Sequence, residues 1–167
     1  MDELRIHYFG PGLAGRTSSL RSAREAFPDA TAVQTHEQAD GRWLEWTCEV
    51  GNARLVVTSL NGGVSWERLQ TRLRTHAHAV IFVVDSQAPR IETNEEHRDI
   101  LIVQYGANGP APLVLQWNKR DLDTALPVAE LSRRFNRWRA PEVPSIASRG
   151  IGVVEAFRTA ISLARQR

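Results

Sequence analysis

The sequence predicts one α/β domain: a mostly parallel sheet with one antiparallel strand and helices on both faces. Three observations carry this prediction. Apolar strand-like runs alternate with helix-like stretches along the chain, as in parallel strands joined by crossover helices. A glycine-rich turn, Gly10-Pro-Gly-Leu-Ala-Gly-Arg-Thr17, follows the first apolar run and opens the first helix. Ala79–Asp85 is a continuous apolar run ending in a carboxylate, as expected of a strand covered on both faces.

Leu4–Phe9 reads as the first strand and runs into Gly10. Thr17–Phe27 reads as a helix closed by Pro28. Asp29–Gly41 shows no clear period and reads as a mobile connection. Arg42–Val50 and Arg54–Leu60 flank Gly51-Asn52, a tight hairpin turn that places one antiparallel pair in the sheet. Val64–His76 reads as a helix, and Ala79–Asp85 as the central strand. Arg90–Tyr105 is helical, Pro112–Trp117 is a second buried strand, and Pro127–Arg137 is a helix with proline in its first turn. Val143–Ala147 is a short last strand. Gly150–Gln166 closes the chain as an amphipathic helix, with Val153, Ala156, Phe157, Ile161 and Ala164 on one face.

Bulk properties narrow the function classes. A chain of 167 residues without internal repeats is one domain, residues 1–167. Its 21 basic and 19 acidic residues give a formal charge of +2, too balanced for a protein that coats nucleic acid. The one cysteine, Cys48, excludes an internal disulfide and a thiolate zinc cluster and points to a reducing compartment. The start reads as a strand rather than a signal peptide. Ala79–Val84, the longest apolar stretch, is too short to span a bilayer. The expected location is cytoplasmic, with any membrane contact peripheral.

The glycine-rich turn matches Gly, four residues, Gly-Lys-Ser/Thr at all but one position. Glycines let the backbone curl so that several N–H groups meet one anion. The helix start adds the positive end of its dipole. Gly10, Gly12, Leu13, Ala14, Gly15, Arg16, Thr17 and Ser18 are the candidate phosphate contacts. The Thr17 hydroxyl sits where it could ligate Mg²⁺. Arg16 stands where lysine is expected. Arginine keeps the charge but is bulkier and planar, so it binds phosphate from a shifted position or crowds the cradle. A plain strand–helix turn with a solvated arginine is the bland alternative.

Asn118-Lys-Arg-Asp121 follows the buried strand, at the carboxyl end where open α/β sheets bind ligands. Guanine presents two adjacent donors, its ring N–H and its exocyclic amine, and the Asp121 carboxylate can accept both. Adenine has no such pair. Asn118 can bond the far edge of a purine and tie strands together, and the Lys119 stem can lie over the ring. Ser145-Ile-Ala147 sits where a backbone N–H could meet the guanine carbonyl; Ser145 and Ala147 are its candidates. A solvated charged turn is the alternative for this motif alone.

These residues resemble the Ras-like small GTPases, and within them the bacterial MglA group. That group's loop reads Gly-Pro-Gly-Leu-Gly-Gly-Lys-Thr, against Gly10–Thr17 here. Its Asp-Ser-Gln, followed by spaced Arg, Glu, Asn and Glu, is matched by Asp85-Ser86-Gln87, Arg90, Glu92, Asn94 and Glu96. Gln116-Trp-Asn-Lys-Arg-Asp-Leu122, Pro127-Val128 and Gly150-Ile-Gly-Val153 match further segments. The resemblance implies a Ras-like P-loop fold with a six-stranded sheet, and a GTP/GDP switch with Mg²⁺. It also implies a role in cell polarity or motility and a protein partner such as a Roadblock-type regulator.

The departures fall on hydrolysis. The group's Thr-Val-Pro-Gly-Gln aligns with Ser59-Leu-Asn-Gly-Gly63, where Ser59 could still reach Mg²⁺ but Gly63 cannot orient water. The group's Arg-Thr pair falls on Asp40-Gly41, with Thr31 or Thr35 available in another register. The resemblance therefore implies a GTPase with slow or absent intrinsic hydrolysis. A pseudo-GTPase that binds no nucleotide and serves as an interaction module is the other reading.

Remaining features weigh toward structure. Leu131–Arg139 interleaves arginines with Phe135 and Trp138, as a solvated helix face or a contact for acidic lipid or protein. Trp43, Trp46, Trp66 and Trp117 are interface anchors if exposed and core if buried. His76 and His78 lack companions for a metal.

Overall fold

The computed structural model describes residues 2–38, 41–60, 67, 70–71, 73, 77–107 and 111–166. In chain order they form β1 (Asp2–Phe9), α1 (Arg16–Glu25), β2 (Gln34–Gln38), β3 (Gly41–Val50), β4 (Ala53–Leu60), β5 (Ala79–Asp85), α2 (Ile91–Tyr105), β6 (Leu113–Asn118), α3 (Val128–Phe135), β7 (Glu142–Pro144) and α4 (Val153–Ala164). Short 3-10 turns at Ala88–Arg90 and Ala147–Arg149 precede α2 and α4. Described residues 67, 70, 71 and 73 are helical, and the rest of the helix expected over Val64–His76 lies outside the described residues.

The seven strands are ordered β2-β3-β4-β1-β5-β6-β7. Only β3 runs against the others, pairing antiparallel with both β2 and β4. The expected single reversed strand is there, but the sheet has seven strands rather than six. The extra one is β2, inside the stretch read as an aperiodic connection. Its sequence, Gln-Thr-His-Glu-Gln, is polar throughout, and Gln34, Thr35 and Glu37 are exposed at the sheet edge. An edge strand with no buried face carries no alternation to read. Thr31 and Thr35 are both bound to β3. The Thr31 hydroxyl accepts the Thr47 N–H at 2.9 Å, and Thr35 lies opposite Leu44. Leu44 in turn pairs with Ser59, so two strand spacings, roughly 10 Å, separate Thr35 from Ser59. Gly41 opens β3, whereas Asp40 and Gly63 lie outside the described residues.

Other boundaries differ by physical cause. The last strand ends at Pro144, because Ile146 pairs back with Ile151 instead. The closing helix starts at Val153, after Gly150 and Gly152 take positive φ of 70° and 75°. Helix α3 runs Val128–Phe135, with Pro127 as its cap rather than its first residue.

Every residue of β5 is buried, because both faces of the sheet are covered. On one face Ile6, Tyr8, Val57, Ile81 and Val114 pack against Leu20 of α1 and Phe157 of α4. On the other, Phe9, Phe82, Leu115 and Trp117 pack against Leu101 of α2 and Phe135 of α3. Trp43, Trp46, Trp117 and Trp138 are all buried, which makes them core, and Trp66 lies outside the described residues. Phe135 is buried while Arg134 pairs with Glu130 at 2.9 Å, so α3 shows the solvated-face arrangement. The His78 Nδ1 accepts the Arg5 N–H at 2.9 Å. Among the described residues no three His, Cys, Asp or Glu gather as a metal cluster, and no helix is long and apolar enough to cross a membrane.

This topology positions the site. From β1 the chain goes first to β2, β3 and β4 on one side, then to β5, β6 and β7 on the other. The order reverses at β1, and ligands of open α/β sheets bind at the carboxyl ends beside such a point.

Candidate functional site

The loop that leaves β1 is forced into a curl by its neighbours. Gly10 has φ 141°, and a Cβ there would run into the backbone carbonyl oxygen of Val83 on β5. Gly15, the cap residue of α1, has φ 105°, and a Cβ there would collide with the Asn118 amide nitrogen. Leu13 takes a left-handed φ of 65° although it is not glycine, a conformation that costs roughly 1–2 kcal/mol.

Two side chains hold this curl from outside. Asn118 Nδ2 donates to the Ala14 carbonyl at 2.7 Å. Arg90 Nη2 donates to the Gly12 carbonyl at 2.7 Å. In a trans peptide the N–H points opposite to the carbonyl of the same unit. Drawing those two carbonyls outward therefore aims the Leu13 and Gly15 N–H groups the other way. Among the described residues neither N–H donates a hydrogen bond.

Asn118 also organises the far side. Its Oδ1 accepts the Ala147 N–H at 2.8 Å and the Ser145 hydroxyl at 3.1 Å. Gln116, fully buried, donates to the hydroxyls of Ser19 on α1 and Ser145 at 2.9 and 3.0 Å. A buried polar network of this kind locks three loops into one arrangement. Asp85, also fully buried, receives Lys119 Nζ at 2.7 Å and lies 3.7 Å from Arg90 Nε.

Between the loop and this corner lies a cavity of about 250 Å³ lined by Leu13, Gly15, Ser18, Asn118, Lys119, Asp121, Leu122, Ile146, Ala147 and Ser148. The two motifs thus face one space. Gly10, Gly12, Ala14, Arg16, Thr17 and Ser145 do not line it. The first five belong to the curl and helix start beside it. The Ser145 hydroxyl is spent on the brace, and its N–H donates to the Trp117 carbonyl at 2.7 Å. The N–H groups of Ile146 and Ala147 are also used within the protein, by the Ile151 carbonyl and Asn118 Oδ1. Ser148, which sequence reasoning passed over, lines the cavity beside Ile146 and Ala147.

Burial lowers the proton affinity of the Arg16 guanidinium. His97, on α2, is held below its ordinary range chiefly by burial, with the nearby Arg16 and Arg90 charges acting in the same direction against the bond to the Thr93 carbonyl. Its ring packs against Phe9 at 5.6 Å. Ser59, one residue before the end of β4, lies on the same face as Leu55 and Val57, the face covered by α1. Its hydroxyl is buried and has no hydrogen-bond partner among the described residues. An orphaned hydroxyl there is free to serve a cation held mainly by phosphate oxygens.

Asp85, Arg90, Leu122, Ile146 and Ser148 complete the picture. The spaced match to a known family's helix flags Asp85 and Arg90, but nothing local in the sequence reveals that Arg90 meets the loop or that Asp85 meets Lys119. Leu122 and Ile146 are apolar residues beside charged motifs, and only the fold brings them together.

Comparisons with known proteins agree with this fold. The chain is 28% identical over 173 residues to the mutual gliding-motility protein MglA of Myxococcus xanthus, spanning 95% of this chain and 89% of that protein. It is 28% identical to the ADP-ribosylation factor-related protein 1 of Rattus norvegicus, over 81% of this chain and 68% of that one. Among solved structures, the Arl6 BBS3 small GTPase of Trypanosoma brucei, with a bound GppNp, superposes with a TM-score of 0.72 at 22% identity, covering 98% of both chains. The G domain of the T. maritima FeoB iron transporter superposes at 0.69 and 16% identity, covering 97% of this chain and 99% of that one. No family model matches. The chain is a homologue of MglA with the fold of the Ras-like small GTPase superfamily.

Proposed function

We propose that this chain is a regulatory guanine-nucleotide-binding protein of the MglA-related kind, with slow or absent intrinsic GTP hydrolysis. One observation supports this reading above the rest: Leu13, Gly15 and Ser18 share a cavity with Asn118, Lys119 and Asp121. The base would enter with its two donors on the Asp121 carboxylate and its face along the Lys119 stem. The phosphates would follow the curl, where the Leu13 and Gly15 N–H groups and the start of α1 supply donors and positive potential. Mg²⁺, held by the Thr17 and Ser59 hydroxyls with phosphate oxygens, would neutralise charge between the phosphates. Gly63 offers no side chain to orient a water, and the Asp40-Gly41 pair offers no transition-state arginine, which together slow hydrolysis by several powers of ten. The MglA relationship extends the proposal to a protein partner of the Roadblock type and to a place in cell polarity or motility, in the cytoplasm.

Arg16 favours a second reading, a pseudo-GTPase that holds no nucleotide and acts as an interaction module. Its fork is bulkier than an ammonium, and it stands at the first position of α1. Titration with fluorescent GDP, GTP and ATP, with and without Mg²⁺, separates the two. The nucleotide reading predicts micromolar or tighter guanine binding, ATP binding weaker by about a hundredfold or more, and tighter GDP binding by Arg16→Lys. No saturable binding by the folded protein supports the module instead.

A further inference from the structure

We infer that Arg90 is a positioning residue that sets the conformation of the phosphate loop and couples it to the base-reading corner. This deepens the nucleotide reading and rests on it for its purpose. Arg90 ends the 3-10 turn after β5, far in sequence from both motifs. Its Nη2 donates to the Gly12 carbonyl at 2.7 Å, and its Nε lies 3.7 Å from Asp85 Oδ2. That same carboxylate oxygen receives Lys119 Nζ at 2.7 Å, from the base-reading motif. A continuous chain of charge and hydrogen bonds thus runs from Gly12 through Arg90 and Asp85 to Lys119.

Three features make this chain more than incidental. Asp85 is fully buried, and a carboxylate taken out of water is costly to leave without cations beside it. The Gly12 carbonyl immediately precedes Leu13, the one non-glycine residue in the loop with a left-handed φ. The bond to Gly12 therefore opposes relaxation at the position where the loop is most strained. Lys119 also has a left-handed φ, of 63°, so both ends of the chain fasten to backbone that would otherwise relax. A guanidinium suits the task because its planar fork can serve a carbonyl and a carboxylate together, whereas an ammonium is a point charge.

The nucleotide-free protein provides the first test. Arg90→Ala leaves Asp85 paired with Lys119, so the sheet should remain folded. Amide hydrogen exchange over residues 10–17 is expected to speed up at least tenfold, with residues 79–85 unchanged. Arg90→Lys restores a cation for Asp85 without spanning both groups, so it should keep the thermal midpoint and still loosen the loop. Should Arg90→Ala fail to fold, Arg90→Lys decides. Wild-type exchange over residues 10–17 in a folded variant overturns the inference.

The second test titrates GDP and GMP, which differ by the phosphate furthest along the loop. Arg90→Ala should lose tenfold or more for GDP and much less for GMP. Equal losses for both, or none, would mean that Arg90 does not act through the loop. Absence of binding by the wild-type protein would defeat the nucleotide reading, and the exchange result would still decide the role of Arg90.

Discussion

Replacing Asp121 with asparagine is expected to weaken GDP binding by about a hundredfold to ten-thousandfold while leaving the thermal midpoint nearly unchanged. The carboxylate accepts at two oxygens, matching two donors on guanine. Asparagine offers one acceptor and one donor, so one favourable contact becomes a donor facing a donor. Hydrogen bonds to a charged group contribute about 1.5–3 kcal/mol each, and two of them give that range. Asp121 is exposed and lies on a turn at the cavity rim, so the fold does not depend on it. The same change should improve binding of xanthosine diphosphate, whose base carries a carbonyl where guanine carries its amine. Parallel titrations of the two nucleotides against wild type and Asp121→Asn measure this. Equal GDP affinity in both proteins would remove Asp121 from base recognition.

Gly15→Ala should abolish nucleotide binding by a different route. The new methyl would overlap Asn118 Nδ2, at a φ of 105° that alanine adopts only with strain. Asn118 cannot move alone, because its other atoms hold Ser145 and Ala147. Displacing it frees the Ala14 carbonyl and opens the base corner in one step. An affinity loss of at least about a hundredfold is expected, with destabilisation of about 2–4 kcal/mol, since a buried hydrogen-bond network is broken and overpacked. Gly51→Ala is the matched control. It also has a positive φ, of 63°, but open space surrounds its Cβ direction. Its cost should stay near 1 kcal/mol, with binding intact. Isothermal titration and thermal melts of both variants provide the comparison.

How much of this was legible depends on how each feature writes itself into sequence. Ala79–Asp85 was readable to its boundaries because a strand buried on both faces must be apolar throughout. The hairpin at Gly51-Asn52 was readable because so few residue pairs tolerate its backbone. β2 was not, since a polar edge strand takes its pairing from β3 and leaves no pattern of its own. The loop and the Asn118–Asp121 corner were recognisable as motifs because phosphate and guanine constrain residue types at fixed spacing. Their meeting in one cavity, with Leu122, Ile146 and Ser148, depends on strand order, which no local pattern encodes. The expected backbone donors at Ser145 and Ala147 illustrate the same limit. Their placement near the base corner was legible, but the partners that occupy their N–H groups were not.

The most direct measurement is a GDP titration of the isotopically labelled protein with Mg²⁺, followed residue by residue through backbone amide NMR shifts. If one purine nucleotide bridges the two motifs, saturating shifts will gather at residues 10–18, 118–122 and 145–148, and GDP will compete there with GTP but not ATP. Saturating shifts confined to one motif, or centred on the opposite end of the sheet around Val50–Ala53 and His78, would contradict it.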